Sequence, residues 1–119
     1  MTLKVNLAEK LATFDEAFRP RIVGRYNHEK IMVAKTRGAF VWHSHPDTDD
    51  FFLVLDGRLT IQLRDRDVEL GPGEMFVVPR GVEHCPRADP EAHILLIEPT
   101  GTANTGDSAD REAAPEEEI

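Results

Sequence analysis

Phe51-Phe52-Leu53-Val54-Leu55-Asp56-Gly57-Arg58-Leu59-Thr60-Ile61-Gln62-Leu63 decides the fold class. It opens with the longest strongly apolar run in the chain, five residues. Past Asp56-Gly57 it alternates strictly, with Leu59, Ile61 and Leu63 set against Arg58, Thr60 and Gln62. A period of two marks a strand with one buried face. Asp-Gly between two such runs is a strong signal for a two-residue hairpin turn. The stretch therefore predicts strands at 51–55 and 58–64 joined by a tight turn.

The same grammar extends outward in both directions. Ile22 to Tyr26 and Ile31 to Thr36 flank Asn27-His28-Glu29-Lys30, which reads as a hairpin loop. Phe40 to Ser44, Val68 to Leu70, Met75 to Val78 and Ala92 to Ile97 complete the set, punctuated by Gly71-Pro72-Gly73 and Pro79-Arg80-Gly81. No helical period appears in this region, so many short strands with frequent turns predict an all-β sandwich or barrel over about 21–98. One helix precedes it. Leu7, Leu11, Phe14 and Phe18 share a helical face, Asn6 can cap them with Glu9 as the third position of a capping box, and Pro20 ends the run. The expectation is a short helix over about 6–18, packed on the domain as a lid or used as a dimer contact.

At 119 residues the chain suits one domain, expected over 1–100. Lys+Arg 14 against Asp+Glu 22 leaves a net charge of −8, which argues against nucleic acid and anionic membrane as partners, because both call for a basic face. A five-residue apolar run cannot cross a bilayer that needs about 20 residues of helix. Met1 to Asn6 shows no apolar signal region, and a single cysteine permits neither an intrachain disulfide nor a cysteine-cluster zinc site. These features lead us to expect a soluble cytoplasmic domain. Asp107 to Ile119 holds six acids and one base, five of the eight net negative charges. Following turn-rich 99–106, it offers too little apolar area to offset its ordering entropy. Residues 101–119 are expected to be a mobile, solvated tail.

The chemistry concentrates on histidine. His43 and His45 lie two apart in a predicted strand, so both rings leave one face about 7 Å apart at the backbone and can converge on one metal. A His-x-His pair alone arises by chance about 0.17 times in such a sequence. The later pattern Gly73-x5-Pro79-x-Gly81-x2-His84 is expected only about 0.001 times. There Pro79 ends a strand without needing a ladder donor and Gly81 can take positive φ, so the turn aims His84 at a fixed point.

Gly38-x4-His43-x-His45-x4-Asp50-x6-Gly57, followed by Gly73-x5-Pro79-x-Gly81-x2-His84, resembles the two consecutive motifs of the cupin superfamily, most closely its small single-domain prokaryotic members. The resemblance spans about residues 38–88. It implies a small antiparallel jelly-roll barrel, a homodimer, and one divalent transition-metal ion per chain (Fe, Mn, Ni, Zn or Cu). His43, His45 and His84 match ligand positions directly. Asp50 stands where the family usually has Glu, the first motif is one residue shorter than usual between Gly and His, and Ala88 stands where the second usually has Asn. The shorter Asp50 is expected either to ligate directly, if the strand entry shifts, or to act through a bridging water, the arrangement we favour from reach alone.

Val41, Phe52, Val54 and Phe76 are expected to wall a small, largely apolar pocket beside the metal. The function implied is metal-dependent chemistry of the oxygenase, isomerase or lyase type on a small chelating metabolite; a non-catalytic module that binds or senses a small molecule or metal is the alternative. Other tempting residues have plainer readings. Cys85 points away from His84 in an extended segment. His93 shares a face with Leu95 and Ile97 and reads as a core histidine able to reach the interior, His28 as exposed, and Asp47 and Asp49 as a solvated loop.

Overall fold

The structure is a computed structural model that describes residues 3–119. After one short helix, α1 (Leu7–Leu11), come six strands: β1 (Arg21–Tyr26), β2 (Glu29–Ala39), β3 (Asp50–Leu63), β4 (Asp67–Leu70), β5 (Met75–Val78) and β6 (His84–Pro99). They form one antiparallel sheet in the order β1-β2-β6-β3-β4, with β5 on β3. The all-β class and the single N-terminal helix are as expected.

Two predicted strands become one. Asp56-Gly57 makes no hairpin: β3 runs through it, and both halves pair with β6, from Phe51 opposite Ile97 to Leu63 opposite His84. The register slips between Val54 and Asp56 and again between Gly57 and Leu59. Gly57 has φ +79°, and a Cβ there would collide with the Glu91 carbonyl of β6. This is a bulge rather than a turn, and glycine is required by the close approach. Irregularities at Thr36/Gly38 in β2 and at the β3 bulge bend the long strands, so the sheet curls round a core of Met32, Ala34, Phe52, Val54, Leu59, Ile61, Val78 and Ile94.

The helix stops early. Asn6 caps it as expected, accepting from the Glu9 N–H at 3.0 Å. Beyond Leu11 the Thr13 hydroxyl donates to the Lys10 carbonyl, and Lys35 Nζ takes the Phe14 carbonyl at 2.6 Å. With those acceptors engaged, the chain leaves the helical path. Phe14 lies under the Arg21 guanidinium at 4.4 Å, and Ala17 bridges to Lys35 in β2. Phe40 to Ser44 is irregular rather than a strand, apart from one bridge from His43 to His84.

Residues 101–119 also depart from expectation. The structure lays them on the sheet instead of leaving them free. The Ile22 N–H donates to the Glu117 carbonyl at 2.7 Å and the Ile119 N–H to the Ile22 carbonyl at 3.1 Å, covering the outer edge of β1. Glu116, Glu117 and Glu118 pair with Lys30, Arg19 and Arg25 at 2.9, 2.9 and 2.6 Å. Composition alone hides this, because the cations that receive the acids are spread over residues 19–30.

Candidate metal centre

Three segments build the site. The first, 40–45, is stitched to the start of β6 by reciprocal backbone bonds between His43 and His84 at 3.0 and 2.9 Å. The second is the Pro79–Gly81 turn. Gly81 has φ +78° and donates its N–H to the His45 carbonyl at 2.9 Å, while the Arg80 N–H donates to Asp49 Oδ1 at 2.9 Å. Asp49 is therefore a clamp on the turn that delivers His84. The third is the first residue of β3, Asp50, paired with Val78 of β5. From the far end of the chain, Asp107 accepts from both the N–H and the hydroxyl of Ser44, at 2.7 and 3.0 Å, gripping the residue between the two histidines.

This scaffold brings His43, His45, Asp50 and His84 together. All four are buried, and their ligand atoms lie within 4.8 Å of one another. His43 Nδ1 is 2.8 Å from the Val41 carbonyl and His84 Nδ1 is 2.9 Å from the Val82 carbonyl. A carbonyl only accepts, so the partner assigns the hydrogen of each ring to Nδ1 and leaves Nε2 as a bare lone pair in the neutral ring. His84 Nε2 then faces Asp50 Oδ2 at 3.1 Å, an acceptor against an acceptor, and His45 Nε2 lies 3.2 Å from the same oxygen. Only a cation or a further proton between them makes that arrangement favourable. Ligands about 2.0–2.2 Å from one metal are separated by roughly 2.9–3.5 Å in octahedral or tetrahedral geometry. The spacing of the donor set, with Asp50 Oδ2 at 3.1 and 3.2 Å from two ring nitrogens, fits a divalent metal.

The electrostatics agree. Burial, reinforced by the neighbouring His84, pushes His43 down to about 4, so it stays neutral and able to ligate. Burial would lower His45 as well, but its hydrogen bond to Asp50 and that carboxylate's charge carry it upward. Burial would raise Asp50, yet His45 and His84 outweigh burial and hold it below the usual range.

A cavity of about 50 Å³ opens beside the cluster, lined by His43, Asp50, Phe52, Phe40, Leu96 and Glu98 among others. Of the expected walls Phe52 is present; Val54 is in the core, Phe76 packs against the core, and Val41 contributes its carbonyl to His43. Phe18 stacks on Phe40 at 4.9 Å, and Arg111 sits over both rings at 5.2 and 5.3 Å. Glu98 escaped the sequence reading. Burial first, and then the charge of Asp50, push its carboxyl up to about 8. The signal was present, because from Ala92 onward the buried residues of β6 are the even-numbered Ala92, Ile94, Leu96 and Glu98. That parity also corrects His93, which lies on the outer side of β6, 2.7 Å from Glu91 in a groove with Leu7 and Leu11. Cys85 is buried with its thiol pushed up by burial, which makes it a poor nucleophile. Asp47 and His28 are exposed.

Comparison with known proteins agrees with this architecture. A crystal structure of a cupin-2 domain containing protein from Shewanella frigidimarina NCIMB 400 is 42% identical with a TM-score of 0.79, over 80% of this chain and 93% of that one. Protein NMB1881 from Neisseria meningitidis is 29% identical with a TM-score of 0.75, over 82% of this chain and the whole of the other. YdbB of Bacillus subtilis (strain 168) is 31% identical over 77 residues, 64% of this chain and 68% of the relative. The profile of the cupin domain family matches residues 30–98, a span that holds all four clustered side chains and the strands that carry them. The chain belongs to the cupin domain family.

Proposed function

We propose that His43, His45, Asp50 and His84 hold one divalent transition-metal ion, and that the protein acts on a small metal-chelating metabolite bound in the adjoining cavity. The observation that carries this reading is the meeting of bare His84 Nε2 with Asp50 Oδ2 at 3.1 Å, with His45 Nε2 at 3.2 Å from the same oxygen. Three imidazoles and a carboxylate suit a borderline first-row ion and leave open coordination positions, which supply Lewis-acid or oxygen chemistry when the ion is bound.

The protein's own part is to position and to exclude water. The Val41 and Val82 carbonyls fix the tautomers and ring planes of His43 and His84. The Asp49–Arg80 and Asp107–Ser44 contacts hold the two ligand segments in place. Phe52 and the Phe18–Phe40 stack keep the cavity apolar, so polar contacts inside it are strong. Oxygenase, isomerase or lyase chemistry is the reading this supports, in a cupin that associates as a homodimer.

Elemental analysis tests the site. Chain purified without an affinity tag or chelator should carry close to one transition-metal ion, and His84→Ala should carry almost none. A protein that neither retains nor takes up Mn, Fe, Co, Ni, Cu or Zn would refute the reading.

A further inference from the structure

We propose that Glu98 is the second anchor of the ligand, so that the molecule bound in the cavity is a short hydroxy acid with its carboxylate at the metal end and its hydroxyl on Glu98. The inference rests on the metal reading above and adds to it the class of ligand.

It follows from accounting for the polar groups of the cavity. Thr36 donates its hydroxyl to the Ala92 carbonyl at 3.0 Å. Asn104 donates to the Phe18 carbonyl and accepts from the Ala114 N–H, at 3.2 and 2.9 Å. His43 has its Nδ1 on Val41, and Asp50 meets two histidines. Glu98 is different. It is 3% exposed, and the influences on its carboxyl are burial and through-space charge rather than hydrogen bonds. Its cross-strand neighbour Lys30 is committed elsewhere, to the Thr102 carbonyl and Glu116, both at 2.9 Å. Two polar ends therefore face an otherwise apolar space, the histidine–carboxylate cluster and Glu98.

Enclosing a carboxyl that makes no hydrogen bond to the described residues is costly, and its oxygens keep their contact with the open space of the cavity. In the inward row of β6 a leucine would simply continue Ile94 and Leu96, so the acid weakens the fold where a ligand can use it. The spacing limits the ligand's length. The ladder between β3 and β6 ends at Phe51 opposite Ile97; continuing it by one residue would set Asp50 opposite Glu98, both of which line the cavity, and opposed side chains start about 4.5–5.5 Å apart. A cavity of about 50 Å³ is well short of the roughly 150 Å³ that admits benzene. Two or three carbons between the ligand's polar ends fill it. A hydroxyl is the matching end group because it both donates and accepts, and so satisfies a carboxyl in either protonation state.

The test is a visible-absorption titration of the Co(II)-loaded protein with 3-hydroxypropionate and with propionate. Wild type should bind the hydroxy acid at least tenfold more tightly, since a site built for a hydroxyl rejects the analogue lacking it. Glu98→Gln should keep part of the preference and Glu98→Leu should reduce it to within twofold. The metal-free Glu98→Leu protein should also melt at a higher temperature than wild type, because the largely desolvated carboxyl is gone. Equal affinities in wild type, an intact preference in Glu98→Leu, no response to either acid, or a lower melting temperature for Glu98→Leu would each overturn the assignment. Failure to load Co(II) at all would refute the metal reading itself, and this inference with it.

Discussion

His43 and Glu98 line the same cavity and make opposite demands on pH. His43 is held down to about 4 against an ordinary 6.5, so below pH 6.5 the unfolded chain takes a proton that the folded one refuses. Its contribution makes stability rise as pH climbs from about 4 to 6.5. Glu98 is pushed up to about 8 from 4.5; the folded chain keeps a proton that the unfolded chain releases, so stability is lost as pH rises from 4.5 to 8. His45, raised from 6.5, adds to that loss above 6.5. The melting temperature of metal-free protein should therefore fall between pH 6.5 and 8.5, and Glu98→Gln should flatten the decline; an unchanged slope in that variant would mean that Glu98 is not the group responsible. Asp50 gives a second expectation. Its Oδ2 is 3.1 and 3.2 Å from two ring nitrogens, and the proposal that it is a direct ligand expects Asp50→Ala to lose metal affinity about as severely as His45→Ala, by competition against a chelating dye. A loss of only 10–100-fold, the usual cost of an outer group, would return Asp50 to a bridging-water role. The histidines were legible because their roles require fixed spacing. The reach of Asp50 was not, because it depends on where β3 begins.

Among the strands, β3 shows what sequence pattern conveys and where it misleads. Its buried residues are even-numbered at Phe52 and Val54 and odd-numbered at Leu59 and Ile61. A change of parity within a strand is what one inserted residue produces, so the bulge was written in the sequence beside a dipeptide that more often marks a turn. Nothing local decides between the two. The decision belongs to β6, long enough to pair with both halves and visible beforehand only as Ala92 to Ile97, since Pro86 and Pro90 break the look of a strand. The helix failed for a related reason: its pattern ran to Phe18, but Lys35 and Arg21 claim Phe14 from outside. Gly57→Ala tests the bulge. At φ +79° with the Glu91 carbonyl in the way, the substitution should cost about 2 kcal/mol or more by urea denaturation. A turn glycine in open space would cost less, and a neutral result would show that the strands can separate there.

Across the whole molecule, charge is arranged rather than diffuse. The net −8 is mostly the C-terminal acids, and those acids lie against Arg19, Arg21, Arg25 and Lys30. Exposed pairs of this kind contribute little each; Arg19 and Glu117, for example, are 42% and 38% exposed. The segment holds the molecule together by other means. It satisfies the backbone at Ile22 on the edge of β1, it gives buried Lys30 its carboxylate partner Glu116, and through Asp107 it grips Ser44 between two of the clustered histidines. An uncovered strand edge and an unpaired buried ammonium are both costly. Deleting 107–119 should therefore lower the thermal midpoint by about 5 °C or more and speed metal release to a chelator, whereas Glu117→Gln with Glu118→Gln in the full chain should change either measurement only slightly. The contrast separates the two accounts of the tail. If the deletion leaves both the midpoint and the release rate unchanged, the segment is a solvated tail after all. If the double substitution matches the deletion, the ion pairs, and not the edge and the Ser44 grip, do the holding.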